Sequence, residues 1–235
     1  MTFLFIILTT LFADANTQYA EGNYAEAALL YQQIIEESPS AEVYYNLGNA
    51  YFKQGELAKS IIAYERALRL KPSLKDAKHN LQYAQTQIVD NIQDTHAFFL
   101  SNWLKTMRNA LSQRTWINIS IALFILTLMA IFIFAFSQNV GLRKAAFYTA
   151  LFTLLIVIVA CINAGSLHQR DTQRTEAIIT QGIVNAKSSP DRSGNDLFTI
   201  HEGTKVEIKD VIGDWCCIHV GNNIGWMPLA YLERI

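Results

Sequence analysis

The stretch AEVYYNLGNAYFKQGELAKSIIAYERALRLKPS, residues 41–73, decides how the first third of this chain folds. Gly55 supplies a turn between two helices, Gly48 lets their backbones approach, and Pro72 ends the second helix. The unit is repeated, because Gly22, Tyr31, Ile34 and Pro39 recur at constant spacing as Gly55, Tyr64, Ala67 and Pro72.

Residues 41–73 resemble the tetratricopeptide repeat (TPR) family at Tyr44, Leu47, Gly48, Tyr51, Gly55, Tyr64, Ala67 and Pro72. They depart at Ser60, where the family prefers alanine, a small-for-small change that suits a helix crossing. In the preceding unit, GNYAEAALLYQQIIEESPS makes a second helix, but the first helix overlaps the N-terminal segment, so that unit is expected to be incomplete. A third helix is predicted over 74–92, with Leu74, Ala77, Leu81, Ala84, Ile88 and Ile92 on one face, as the solvating cap a repeat array needs. The resemblance implies a shallow concave groove lined by Tyr45, Asn49, Phe52 and Lys53, joined by His79 and Tyr83 of the cap. Asn49 stands at the family position that often holds a ligand's main chain. The other reading of these tyrosines and Phe52 is that they fill packing gaps.

Two runs in the middle of the chain, 117–136 and 145–165, carry no charge, and each is about 30 Å long as a helix, the thickness of a bilayer's hydrocarbon core. They predict transmembrane helices over 116–137 and 145–166, joined by a short loop, 138–144, that contains Arg143 and Lys144. Residues 96–115 form an amphipathic helix with Phe99, Leu100, Trp103, Leu104, Met107, Ala110 and Leu111 on one side. It either lies at headgroup level with Trp103 as an anchor or packs on the repeat cap. From Thr95 to Arg170 there is no carboxylate, whereas Lys105, Arg108, Arg114, Arg143, Lys144 and Arg170 all fall there, a partition hidden by the net charge of −1. Basic residues beside apolar spans suit anionic headgroups, and the acidic soluble parts argue against nucleic acid as a partner.

At the N-terminus, the apolar run 3–12 followed by Ala13-Asp14-Ala15 reads as a secretory signal over 1–15, cleaved before Asn16. An uncleaved anchor and a misassigned start are the alternatives, although ten apolar residues are too few to span. Both soluble parts, 16–95 and the region after the linker 167–175, must share one side of the membrane. Charge counting does not choose the side; the signal segment places both in the periplasm of a bacterial inner membrane.

Residues 176–235 change to short alternating stretches separated by Gly, Asn, Asp and Pro, which predicts five strands in a small barrel. They resemble bacterial SH3-like domains in AKSSPDRSG, FTIHEGTKVEI, the GDW turn, GNNIGWMP and the closing YLERI. Strand alternation turns Cys216, Ile218 and Val220 toward the core and Trp215, Cys217 and His219 outward. Asp214, Trp215, Trp226 and Tyr231 are the contact candidates for a Pro-rich peptide or a glycan, with partial core burial as the alternative.

Nothing in the sequence points to catalysis, a cofactor or a metal. Among five histidines, His79, His96, His168, His201 and His219, none has ligand spacing to another His or to a cysteine pair. His201 sits in the HEG stretch, where a turn-stabilising role is expected. Cys161, Cys216 and Cys217 make no disulfide framework, and a redox switch at the adjacent pair is the remote alternative. The whole order resembles the BatE family of the bacterial aerotolerance operon. That resemblance implies association with membrane proteins carrying von Willebrand A domains and a role in stress tolerance or envelope integrity. The sequence therefore reads as a multidomain chain: an all-α TPR module, a two-helix transmembrane hairpin and an all-β SH3-like barrel. Its expected role is a non-enzymatic inner-membrane adaptor; the alternative is a cell-wall-binding protein, or one that localises a cell-wall enzyme, with peptidoglycan as ligand.

Overall fold

The computed structural model describes residues 2–90, 99–173 and 175–235, and divides into two compact units. Unit 1 joins Met1–Phe98 to Arg174–Ile235; unit 2 is Phe99–Gln173.

Unit 1 begins with five helices: α1 (Thr2–Ala20), α2 (Tyr24–Glu37), α3 (Ala41–Gln54), α4 (Leu57–Leu70) and α5 (Lys75–Gln85). Ser40 caps α3 by accepting the Val43 amide at 3.3 Å, satisfying one of the donors a helix start leaves over. A Cβ on Gly48 would stand 2.5 Å from the Tyr64 ring, so glycine is what lets α3 and α4 cross this closely. With residues 1–15 present, α1 supplies the first helix of the first unit, burying Ala15 with Ala27, Tyr31 and Leu47, and Leu8, Leu11 and Phe12 pack against that cluster. The cap helix is shorter than expected. Leu74 stands at its N-cap, and it stops at Gln85, where the Thr86 hydroxyl donates to the Tyr83 carbonyl. Ile88 and Asp90 then turn to the sheet instead, and Ile92 lies outside the described residues.

The C-terminal region is a seven-stranded antiparallel sheet in the order β3-β2-β6-β5-β4-β1-β7. Its strands are β1 (Glu176–Ile179), β2 (Ile183–Lys187), β3 (Asp196–His201), β4 (Lys205–Ile212), β5 (Trp215–Val220), β6 (Asn223–Pro228) and β7 (Leu232–Arg234). This corrects the expected five-stranded closed barrel. Among the described residues no ladder joins β3 to β7, so the sheet stays open, with seven strands where five were expected. One face makes a core of Ala177, Ile179, Val184, Ile200, Val206, Ile208, Cys216, Ile218, Val220 and Met227. Cys216, Ile218 and Val220 are thus inside as alternation requires. Cys217, expected outward, is only 9% exposed, because Asp210 and Trp226 stand opposite it on the two flanking strands.

The sheet and the repeats share a second core. Residues 177–179 of β1 are buried in succession, so both faces of the strand are covered. Ala177 and Ile179 fill the sheet core, while Ile178 and Ile235 join Ala58, Ile61, Ile62, Leu81 and Ala84 of α4 and α5. Gly203 has φ +83°, and a Cβ there would meet Ile61 and Ile88 at 3.2 Å, so this turn can approach the helices only as glycine. Polar contacts rim the junction. Arg66 donates to the Glu233 carboxylate at 2.8 Å and to the Arg234 carbonyl at 3.1 Å. Lys205 lies 3.1 Å from both Glu65 and Glu176. Asp90 accepts from the His201 amide at 2.7 Å and the Thr204 hydroxyl at 2.8 Å, and pairs with His201 Nδ1 at 2.7 Å. Burial works to raise the Asp90 carboxyl, but these hydrogen bonds and the His201 charge outweigh it and hold Asp90 below the usual carboxylate range.

Unit 2 contains α6 (Phe99–Asn109), α7 (Gln113–Phe136) and α8 (Val140–Gln173). The amphipathic segment is broken near residues 110–112, where Ser112 caps α7; residues 96–98 lie outside the described residues. The loop between the long helices shrinks to 137–139, since Asn139 Oδ1 accepts from the Gly141 and Leu142 amides and starts α8 early. Both α7 and α8 are long and apolar enough to cross a membrane. Their contact is made by small and hydroxyl side chains: Ala130, Ala146, Ala160 and Ala164 are buried, and Thr127 and Thr153 share a hydrogen bond of 2.8 Å. Bulky Phe132, Phe152 and Leu155 point away from it.

Candidate partner-binding sites

On the repeats, α1, α3, α4 and α5 enclose a cavity of about 300 Å³ lined by Tyr19, Tyr45, Asn49, Phe52, Lys53, Tyr64, Asn80 and Tyr83. Of the six residues expected there, Tyr45, Asn49, Phe52, Lys53 and Tyr83 line it. His79 is exposed and absent from the lining, which its neighbour Asn80 enters instead. One step along an α-helix rotates a side chain by about 100°, enough to exchange an inward for an outward position. Asn49 Oδ1 accepts from the Tyr64 hydroxyl and the Asn80 amide, each at 2.8 Å. Asn80 turns its Nδ2 and Tyr64 its hydroxyl to the same Asn49 oxygen. The Asn49 Nδ2 group has no acceptor among the described residues and remains able to donate to a ligand.

The aromatic walls are set by ring contacts, Tyr45 with Tyr64 at 6.2 Å and Phe52 with Tyr83 at 5.6 Å between centroids. Tyr64 is buried behind the wall, and burial pushes its hydroxyl well above the ordinary tyrosine range. Burial likewise pushes Tyr31 up to about 12, with its hydroxyl 2.6 Å from Asn16 Oδ1. These two are therefore framework. Tyr83, 55% exposed, and Lys53 remain open to a ligand. Tyr19 was missed because the start of its helix reads as a signal segment, and Asn80 because its neighbour His79 was turned inward instead.

On the sheet, Trp215 lies opposite Pro228 and Trp226 opposite Cys217, which puts both tryptophans on one face of adjacent strands. Both are half-buried. Asp214 is at the β4–β5 turn, its carbonyl accepting from the Leu229 amide at 2.8 Å. Tyr231 belongs to the short 3₁₀ turn after β6, its carbonyl held by the Thr180 amide at 2.9 Å. The strand ladder thus brings the tryptophans and Asp214 to one end of β5, while Tyr231 is fixed by a separate contact. Cys216 points the opposite way from Cys217, its thiol pushed up to about 11 by burial. Burial also raises Cys217. Neither thiol is activated for redox chemistry.

The fold therefore defines a helical-repeat module joined to an antiparallel sheet, with an apolar helix pair between them in sequence. The tetratricopeptide repeat family matches residues 12–74, from within α1 to the end of the α4–α5 turn. No curated protein matches the chain.

Proposed function

We propose that this chain is a non-enzymatic adaptor held in a bacterial inner membrane by α7 and α8, docking a partner protein in the repeat cavity. The observation that carries it is the Asn49 amide, whose oxygen is held by Tyr64 and Asn80 while its donor end stays unmatched in a cavity that Phe52, Tyr83 and Lys53 also line. A peptide main-chain carbonyl satisfies that donor, and an acidic side chain suits Lys53. Repeats of this kind serve protein–protein contact, and the resemblance to BatE proteins supports a membrane protein with a von Willebrand A domain as the partner, in an aerotolerance or envelope-stress complex. Co-purification of such a protein with the wild-type chain, abolished by Asn49→Ala with Lys53→Ala, is the expected result. Equal recovery with the double variant would remove the cavity from the function.

Membrane placement is supported by the bulky apolar exterior of α7 and α8 around a small-residue seam, the packing expected in lipid. A cleaved signal over residues 1–15 would place both soluble parts in the periplasm, at the cost of the part of α1 that packs Leu8, Leu11, Phe12 and Ala15 on the repeats. The mass of the mature chain tests it: loss of fifteen residues supports export, and an intact mass leaves α1 whole and removes the ground for that side. The order of motifs in 176–235 supports SH3-like ancestry for the sheet. Peptidoglycan is the alternative ligand, favoured by the shared Trp215–Trp226 face with Asp214 at its end. Pull-down of the full chain by purified peptidoglycan, lost on Trp226→Ala, would support it, and absence of binding would end it.

A further inference from the structure

In unit 2, α6 and the start of α7 run along the last turns of α8 through polar contacts that contain no acid. Arg108 Nη1 donates to Ser166 Oγ at 2.8 Å, Arg170 Nη1 reaches Asn109 Oδ1 at 3.4 Å, and Gln113 Nε2 lies 3.3 Å from His168 Nδ1. The Arg108 carbonyl takes the indole donor of Trp116 at 3.1 Å, which fixes the backbone that carries the guanidinium. Arg108 Nε is buried without a hydrogen-bond partner among the described residues. A guanidinium is always charged and offers five donors in a fixed fork, and here its protein acceptor is a neutral hydroxyl. Unit 2 holds six Lys and Arg residues against a single acid, Asp171. Leu104, one helical turn before Arg108 on the same face of α6, is exposed, so an apolar surface adjoins the charge. The site lies where Gln113 begins one apolar helix and Arg170 closes the apolar part of the other.

We propose that this seam binds the phosphodiester of an anionic phospholipid, with Arg108 as the principal ligand and Leu104 beside the acyl chain. Arg170 adds positive potential, and the α7 N-terminus adds the amides a helix start leaves unpaired. The proposal rests on the membrane reading above. It goes beyond it by requiring a particular headgroup chemistry at one end of the helix pair and not at the other, where Arg143 lies over the Phe134 ring.

The test reconstitutes the full chain in nanodiscs of phosphatidylcholine with a minor fraction of phosphatidylglycerol. Lipid retained after mild detergent release is counted by native mass spectrometry. Wild type should retain phosphatidylglycerol in preference to phosphatidylcholine. Arg108→Gln should lower that retention roughly ten-fold, as the loss of a charge-assisted pair of hydrogen bonds implies. Arg108→Lys should restore part of it, and Arg143→Gln with Lys144→Gln should leave it intact. Excess inorganic phosphate should not displace the lipid; displacement would show a site for free phosphate and overturn the lipid assignment. Equal retention in Arg108→Gln, or an equal loss in the far-end variant, would also overturn it. Carbonate extraction of native membranes separates the two levels. A chain released by carbonate sinks the membrane reading and this site together, whereas a retained chain without headgroup preference sinks this site alone.

Discussion

In unit 1 large apolar and aromatic side chains fill the interior: Tyr31, Tyr64, Ile61, Ile178, Ile218 and Met227 are almost fully buried, and most lysines and glutamates face out. In the α7–α8 pair the arrangement is inverted. Alanines, Thr127, Thr153 and Asn163 are inside, while Phe124, Met129, Phe132, Leu151, Phe152 and Leu155 cover the exterior. Water drives the first arrangement, because removing apolar area from it is favourable. The inverted packing fits the proposed hydrocarbon surround, where that drive is missing and helices associate through close packing of small residues and through hydrogen bonds such as Thr127 to Thr153. The same residue type therefore carries opposite meaning in the two regions, and each substitution below has a sign that depends on which solvent surrounds it.

The largest effect is expected at the junction of unit 1. Ile178→Asp places a carboxylate without a partner among Ile61, Ile62 and Leu81, at a cost of about 4 kcal/mol or more. Denaturant unfolding of the full chain in detergent should show it, and an unchanged midpoint would mean that the sheet is not docked on the repeats. Next, Leu155→Lys on the exterior of α8, where Leu155 is 60% exposed, should oppose membrane insertion by about 3 kcal/mol. Its counterpart Leu29→Lys, 53% exposed on α2, should change stability by no more than about 0.5 kcal/mol. An insertion assay and a melting curve compare them, and equal small effects would break the contrast between the regions.

A smaller change tests how the junction is held. Asp90→Asn should cost about 2 kcal/mol, since it replaces charged by neutral hydrogen bonds to His201 and Thr204. The Asp90 carboxyl is held below its ordinary value in the folded state. Its contribution is thus fully present above the unfolded carboxylate value of about 3.9 and disappears as pH falls through the folded one. Urea midpoints across the acid range should fall for wild type, and the difference from Asp90→Asn should shrink there. A difference that grows on acidification would contradict the assignment. A small loss, about 0.6 kcal/mol, is expected for Thr127→Val with Thr153→Val, read from the thermal stability of the reconstituted chain.

Much of this was legible in the sequence. Gly48, Gly55 and Pro72 marked the helix crossing, turn and stop, the charge-free runs marked α7 and α8, and alternation placed Cys216, Ile218 and Val220 inside the sheet. The docking of the sheet on the repeats was not read, although it left a signal. Ala177, Ile178 and Ile179 form a continuous apolar run, and a strand with both faces covered reads that way. Asp90 was hidden because its partners, His201 and Thr204, are more than a hundred residues away. Barrel closure was unreadable, since it depends on how strongly strands coil and on register shifts such as the one between Ile208 and Asp210. In the repeat cavity, residues on α3 followed from the family pattern, whereas the choice between His79 and Asn80 depended on the rotation of α5, set by its docking.

The solvent around α7 and α8 is most directly tested at the native thiol Cys161, which is exposed on α8 while Cys216 and Cys217 are buried. A spin label attached there, with the full chain in liposomes, can be probed by collisions with oxygen, which concentrates in lipid, and with a chelated nickel ion, which stays in water. High oxygen accessibility with little from nickel is the predicted result. Nickel accessibility equal to that of a label on the exposed face of α2 would contradict a membrane-embedded pair.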